Sequence, residues 1–173
     1  MKRVNVKGTS GSGKTTFAQE LARRLDLPFV ELDALHHGPD WYQPTAEEFQ
    51  VTVREAMAHL PDGWVIDGNY EGKLGETVVG PADTIVWLDL PLPVKLRRVA
   101  RRTRERIRDD VELWNGNKET WRNALWGRES LFAWMIRGHL RQRRDWPRLY
   151  DGDPRFVRLR SVAEACRWLD AQP

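Results

Sequence analysis

The chain has 173 residues, a formal net charge of +3 and 40% hydrophobic residues, a composition that allows one compact domain with a buried core. No apolar stretch approaches the roughly 18–20 residues that a membrane span requires. The N-terminus shows no signal-peptide pattern, so we expect a cytoplasmic protein without membrane contact. The single cysteine, Cys166, excludes an internal disulfide, and its amphipathic surroundings predict a buried or half-buried thiol.

The charge is unevenly distributed along the chain. Residues 91–148 contain 16 Lys and Arg against 7 Asp and Glu, whereas the rest contains 12 against 18. Five of the nine tryptophans fall in the same basic segment. Such a segment either coordinates substrate phosphates or binds nucleic acid, and solvated helix faces account for part of it.

Five short apolar strands alternate with helical patterns along the chain. The strands are predicted at residues 2–7, 29–32, 64–66, 84–90 and 156–160. Helices are predicted at 15–25, 45–60 and 93–107. A Trp-rich, helical region is expected to follow to about residue 144, and a last helix begins after Ser161. Thr45 with Glu48, and Ser161 with Glu164, are predicted to cap two of the helices. The alternation indicates an α/β fold of βαβ units with a parallel sheet, whose ligands bind beyond the carboxyl ends of the strands.

Residues 8–15 read GTSGSGKT and match the phosphate-loop pattern G-x-x-x-x-G-K-[ST] between a strand and a helix. The glycines allow backbone N–H groups to point at an anion, and the helix N-terminus adds its positive end. Lys14 is expected to reach the β- and γ-phosphates of ATP, and Thr15 to offer its hydroxyl to Mg²⁺. The predicted nucleotide-binding residues here are Gly8, Ser10, Gly11, Ser12, Gly13, Lys14, Thr15 and Thr16, with Thr16 at most a minor phosphate contact.

Carboxylates follow the second and third strands, at the edge of the sheet where the phosphate loop also lies. Asp33 is predicted to orient the acceptor or take its proton, and Glu31 and Asp67 to belong to the metal shell. The alternative is that they are ordinary polar residues at strand ends, an interpretation that fits Asp89 best. His36 and His37 either line the acceptor pocket or lack a specific role, and no further ligands at metal-binding spacing accompany them.

Several strings resemble P-loop kinases of the adenylate kinase and shikimate kinase type. The phosphate loop, the Asp67-Gly68 strand end and the arginine helix are shared with that group. The strings ELDALHH, WVIDGNY, DTIVWLDLP and ELWNGNKE are similar to bacterial adenylate-kinase-related proteins often labelled DNA topology modulation (FlaR-like) proteins. This resemblance extends over nearly the whole chain.

The resemblance implies a P-loop three-layer fold with a five-stranded parallel sheet of order 2-3-1-4-5. One domain over residues 1–173 is expected, with a helical lid at about 101–145. It also implies that Arg98 stacks on adenine and that Arg102 contacts the transferring phosphate. The segment after Gly68 lacks the arginine with which adenylate kinases grip a nucleoside monophosphate, because Asn69, Tyr70 and Glu71 follow Gly68 instead.

We therefore expect ATP- and Mg²⁺-dependent phosphoryl transfer to a small hydroxyl- or phosphate-bearing acceptor, by a monomer or a homodimer. The predicted catalytic residues are Lys14, Asp33 and Arg102, with Arg122 or Arg128 as further lid arginines. The alternatives are an ATP-regulated nucleic-acid-binding protein, in which tryptophans of the basic segment stack on bases, and a plain NTPase switch. In the kinase interpretation Trp121, Trp126 and Trp134 pack lid helices on the core.

Overall fold

The computed structural model describes residues 1–126 and 130–173. Its five parallel strands have the order β2-β3-β1-β4-β5, as the resemblance implies. The strands are β1 (Arg3–Lys7), β2 (Phe29–Glu31), β3 (Trp64–Asp67), β4 (Thr84–Leu88) and β5 (Phe156–Leu159). The helices are α1 (Lys14–Leu25), α2 (Leu32–His36), α3 (Ala46–Ala58), α4 (Glu71–Leu74), α5 (Leu92–Arg108), α6 (Trp121–Leu125), α7 (Leu131–Leu149) and α8 (Val162–Asp170).

Alternation along the strands builds a hydrophobic core on each face of the sheet. In β4, Val86 and Leu88 pack with Leu21 of α1 on one face. Ile85 and Trp87 point to the other face, where residues of α3 and α7 cover them. Both faces of the sheet are therefore covered by helices, which is the three-layer arrangement that parallel sheets require.

The predicted caps are present at both helices. Thr45 and Glu48 form a reciprocal capping box at the start of α3. The Ser161 side chain accepts from the Glu164 N–H at the start of α8, while the Glu164 carboxylate accepts from the Arg160 N–H. Each pair satisfies two backbone donors at the helix start, which fixes where the helix begins.

The second strand is shorter than the sequence predicts. It ends at Glu31, because Leu32 is buried and begins the short helix α2. Asp33 consequently lies on the first turn of a helix rather than beyond a strand. Two short turns, Pro39–Trp41 and Trp114–Gly116, lie on the same side of the molecule and contact each other.

The predicted packing of Trp121, Trp126 and Trp134 on the core is wrong, because their side chains are 49%, 84% and 47% exposed. Helix α6 buries only Ala124. Helix α7 buries a stripe at helical spacing, to which Trp134 does not belong, formed by Met135, His139, Gln142 and Trp146.

Cys166 is also exposed, contrary to the prediction of a buried or half-buried thiol. Ala165, Trp168 and Leu169 form the stripe of α8 that packs against the sheet, and Cys166 lies beside it. In the residues that the structure describes, no helix is both long and apolar enough to cross a membrane.

Candidate active site

The phosphate loop joins β1 to α1 and depends on backbone conformations that its glycines allow. Gly11 and Gly13 have φ angles of 78° and 89°, in the left-handed region. A Cβ atom on Gly11 would lie 2.5 Å from the Lys95 carbonyl oxygen, so α5 packs directly against the loop. Gly8 is buried where β1 ends. The other predicted loop residues line one large cavity, namely Ser10, Gly11, Ser12, Gly13, Lys14, Thr15 and the exposed Thr16.

Two loop side chains converge on the carboxylate at the end of β3. The Thr15 hydroxyl donates to Asp67 Oδ2 at 2.6 Å, and Lys14 Nζ lies 3.6 Å from Asp67 Oδ1. Asp67 is only 3% exposed, and this burial raises the pKa of its carboxyl against the lowering effects of Lys14 and Thr15. The strand end thus holds a carboxylate directly beside the loop's cation and hydroxyl.

Asn69 fixes the start of the loop. Its Oδ1 accepts from the Gly8 N–H at 2.9 Å, and its Nδ2 donates to the Gly8 carbonyl at 2.5 Å. The first residue after Gly68 is therefore an amide that binds the chain's own backbone. Nothing in the sequence indicates this pairing.

Asp33 and Glu31 lie on the wall of the same cavity. The Tyr70 hydroxyl donates to Asp33 Oδ1 at 2.6 Å. Burial, reinforced by the charge of Asp33, raises the pKa of Tyr70 well above its usual range, so Tyr70 remains a donor. Glu31 Oε2 accepts from the Trp114 indole N–H at 3.1 Å, and desolvation raises the pKa of Glu31.

Residues Glu112–Lys118, which we call the clasp, hold the chain that follows α2. Glu112 and Lys118 pair as an antiparallel bridge and close the clasp into a loop. Asn117, only 4% exposed, accepts from the Trp41 N–H at 2.7 Å and donates to the Gly38 carbonyl at 2.9 Å. The clasp follows α5 in the chain, so it joins that helix to the segment after α2 that contains Gly38 and Trp41.

The two histidines after Asp33 line the cavity, one of the two roles considered from the sequence. His36 is 4% exposed, and burial first, then the Lys73 charge, lowers its pKa to about 4. His37 stacks on Trp114 with ring centroids 5.5 Å apart, and burial lowers its pKa as well. Trp41 packs edge-on against His37 at 5.4 Å and also lines the cavity.

Arginines of α5 form the wall that faces the carboxylates. Arg98 Nη1 donates to the Ser12 carbonyl at 3.3 Å and so lies over the phosphate loop. Arg102 Nε is buried without a hydrogen-bond partner among the described residues, and burial followed by the Arg106 charge lowers its pKa. Arg106 pairs with Glu119, 2.7 Å away, whereas Arg102 has no ion pair among the described residues.

The other two predicted lid arginines are not placed in the site. Arg122 is exposed and does not line the cavity. Arg128 lies outside the described residues. Asp89 is fully buried and pairs with Arg143 at 2.8 Å and Arg158 at 2.6 Å, so its role is structural, as the sequence favoured.

The cavity has a volume of about 1420 Å³, more than one small ligand needs, and it places loop, carboxylates and arginines on shared walls. The hydroxyl of Thr15 and the carboxylates of Asp67 and Glu31 are hard oxygen donors of the kind that Mg²⁺ prefers. The donor set thus fits the predicted metal. No group of three or more His, Cys, Asp or Glu side chains that could hold a metal ion occurs in residues 1–126 and 130–173.

Comparison with known proteins gives a family and a fold. The AAA_18 family model, described as an AAA domain, matches residues 4–122. A cytidylate kinase of Pyrobaculum aerophilum is 34% identical over 119 residues, which cover 61% of this chain and 63% of that kinase. The chain spans only 57% to 63% of the length of such relatives.

Two solved structures show the same fold. A gluconokinase from Sinorhizobium meliloti 1021 superposes with a TM-score of 0.55 at 21% identity, over 98% of this chain and 91% of that one. A shikimate kinase from Acinetobacter baumannii, solved with shikimate, superposes with a TM-score of 0.60 at 14% identity, over 98% of this chain and 89% of that one.

Proposed function

Because the chain belongs to the AAA_18 family, we propose that it is a P-loop kinase that transfers the γ-phosphate of ATP to a small acceptor. One observation carries this proposal. Lys14, Asp33 and Arg102 line a single cavity whose floor is a phosphate loop. That arrangement supplies a cation for the donor, a carboxylate for the acceptor and a second cation for the transferring group, which is what phosphoryl transfer requires.

In the proposed reaction, a hydroxyl oxygen of the acceptor bonds to the γ-phosphorus while the bond from that phosphorus to the β–γ bridging oxygen breaks. ADP leaves, and the hydroxyl proton passes to the carboxylate of Asp33. Tyr70, bonded to the other side of that carboxylate, fixes its orientation. Lys14 and the loop N–H groups hold the phosphates, and Arg102 balances the charge of the transferring group.

Arg98 and the metal ligands complete the donor site in this proposal. The bond from Arg98 to the Ser12 carbonyl holds this arginine over the loop, and its guanidinium is proposed to stack on the nucleotide base. Thr15, Asp67 and Glu31 would hold Mg²⁺, which supplies positive charge to the phosphate oxygens when bound. Residues of the predicted lid, at about 101–145, would exclude water from this site.

The relatives do not identify the acceptor of this chain. Their name, cytidylate kinase, suggests a nucleoside monophosphate, and that substrate is one candidate for this chain. Against it, none of the three residues after Gly68 offers a guanidinium to a phosphate: Asn69 binds the Gly8 backbone, Tyr70 bonds to Asp33 and Glu71 contacts Lys7. An acceptor presenting a hydroxyl to Asp33 fits the described residues better.

The test is an ATP-consumption screen over nucleoside monophosphates, nucleosides, sugar acids and other polyols. We expect Lys14→Ala to lower transfer to the active acceptor by about 100-fold or more, because the main phosphate cation is lost. Lys2→Ala, at an exposed position at the opposite end of β1 from the loop, is the control and should match the wild type. Full transfer by Lys14→Ala would overturn the mechanism.

Binding of single-stranded nucleic acid is a second candidate, favoured by one observation. Trp121 and Trp126 are exposed beside the exposed Arg122, so rings and charge are available for stacking and phosphate contact. Affinity that falls steeply with salt, without phosphorylation of any small acceptor, would support this function. An absence of binding at low salt would rule it out.

A further inference from the structure

Lys73 lies in α4 on the acceptor side of the cavity and is held at both ends. Its carbonyl accepts from Gln50 of α3 at 2.7 Å, which fixes the backbone. Its ammonium lies 2.9 Å from His36 Nε2 and 2.8 Å from the Pro44 carbonyl. The charged end therefore has a defined position on the cavity wall rather than moving freely in solvent.

Both partners of this ammonium are neutral. Because Lys73 can only donate, His36 Nε2 must accept, which requires the uncharged ring. A backbone carbonyl is the other acceptor. Nowhere in residues 1–126 and 130–173 does a carboxylate pair with Lys73, whereas Arg106 of α5 pairs with Glu119. Lys73 thus carries an uncompensated positive charge and has one N–H to spare.

The carboxylates of the cavity lie elsewhere. Asp33 is bonded to Tyr70, and Glu31 to Trp114. The rings of His36 and Tyr70, with centroids 4.6 Å apart, stand between Asp33 and Lys73. A ligand with a hydroxyl at one end and a negative group at the other would satisfy both ends of this wall, whereas a negative group beside Asp33 would be repelled.

Resting on the proposed kinase function, we propose that Lys73 binds an anionic group of the acceptor, so that the acceptor is a small hydroxylated anion. The anionic group is a carboxylate or a phosphate, and an oxygen of either group would accept from the spare N–H of Lys73. Asp33 receives the hydroxyl that is phosphorylated. His36 and Pro44 act as positioning groups that aim the ammonium.

The experiment uses the full chain with Mg²⁺ and a non-hydrolysable ATP analogue, and measures binding calorimetrically. Two matched series separate the two sources of charge: polyhydroxy acids against alditols of equal length, and sugar monophosphates against the free sugars. We expect the anionic member of one series to bind about 10- to 100-fold more tightly than its neutral counterpart, the range for a charge-assisted hydrogen bond.

Lys73→Met should abolish this preference and Lys73→Arg should retain most of it. The melting temperatures of both variants verify that they are folded. Equal binding of anionic and neutral members in both series, including no binding of either, overturns the proposal. So does a preference that survives in Lys73→Met.

Transfer assays on the same series separate this inference from the proposed function. Selective, Lys73-dependent binding without transfer from ATP would refute the kinase function and leave the anion site standing. Transfer to neutral polyols, unchanged in Lys73→Met, would refute the anion site and leave the kinase function standing.

Discussion

Asp33 and Tyr70 share a hydrogen bond of 2.6 Å at the point where the acceptor hydroxyl is proposed to lie. Asp33→Asn keeps the shape of the side chain but cannot take a proton. We expect kcat for the acceptor to fall by about 10²- to 10⁴-fold, the usual contribution of a general base, while the affinity for ATP stays near the wild-type value. Steady-state kinetics with each substrate varied in turn checks this.

Tyr70→Phe is the matched variant, because it removes only the hydroxyl that orients Asp33. Its effect on kcat should be smaller than that of Asp33→Asn, since the carboxylate itself remains. Equal losses in the two variants would indicate that Asp33 acts only through its position. No loss in either would remove Asp33 from the proposed mechanism.

At single positions, the sequence was informative where a residue's chemistry is tied to a motif. Lys14 and Thr15 are placed by the loop pattern, and both meet Asp67. Lys73 and Asn69 belong to no such motif, and their roles depend on side chains from distant parts of the chain. Hydrogen bonds between residues 61 apart, as from Asn69 to Gly8, leave no periodic signal.

At the scale of an element, the clasp is the segment that joins α5 to the chain after α2. Asn117 makes the central contacts, with Trp41, Gly38 and the Trp114 carbonyl. Asn117→Ala should leave the Trp41 N–H unpaired in a half-buried place. Losing such a partner costs about 1–3 kcal/mol, so the clasp should open about 10-fold more often or beyond.

Hydrogen exchange at the Leu113 amide, which donates to the Asn117 backbone carbonyl with or without the substitution, measures that opening. The KM for the acceptor should rise while the KM for ATP does not, because the loop lies apart from these contacts. Asn115→Gly is the control, since Asn115 has a φ of 56° that glycine adopts easily and contributes one exposed bond to the His37 carbonyl. Unchanged exchange in Asn117→Ala would show that the clasp is held by other contacts.

The clasp could not be predicted from the sequence, and the reason is physical. The segment is short, buried only at Asn117 and stabilised by side-chain amides rather than by an apolar stripe. The turn at Asn115-Gly116 is visible as a turn signal, but what the turn faces is decided by the distant residues 37–41. Helices α3 and α8, in contrast, carry caps and apolar periodicity within their own residues. The bounds of α3 were predicted within about two residues, and the start of α8 was predicted at its cap.

At the scale of the whole molecule, the parallel sheet could be predicted from its strands, but the buried charged groups could not. Alternating apolar residues and the phosphate loop are sufficient for a parallel sheet, and the resemblance supplied the strand order. Lys7 is fully buried in contact with Glu71 and Tyr150, and burial lowers its pKa to about 7. A lysine at a strand end looks solvent-exposed in sequence, because its partners come from α4 and the end of α7.

Buried ionisable groups also determine how the whole fold responds to acid, and His36 gives the clearest case. Its pKa is about 4 in the folded protein, against an ordinary value of 6.5, chiefly because the ring is buried. Between these values the unfolded chain binds more protons than the folded one, so the free energy of unfolding falls as the pH falls. The stability is fully present above pH 6.5 and is lost as the pH approaches 4, by about 3 kcal/mol.

Urea unfolding at several pH values between 7.5 and 4.5 measures this loss. His36→Gln cannot gain a proton, and its side-chain oxygen can still accept from Lys73, so its free energy of unfolding should fall less steeply with acid than that of the wild type. The difference between the two curves isolates the histidine from the carboxylates, which titrate in both proteins. Parallel curves would mean that folding does not lower the pKa of His36, so that the ring gains its proton equally in the folded and unfolded protein.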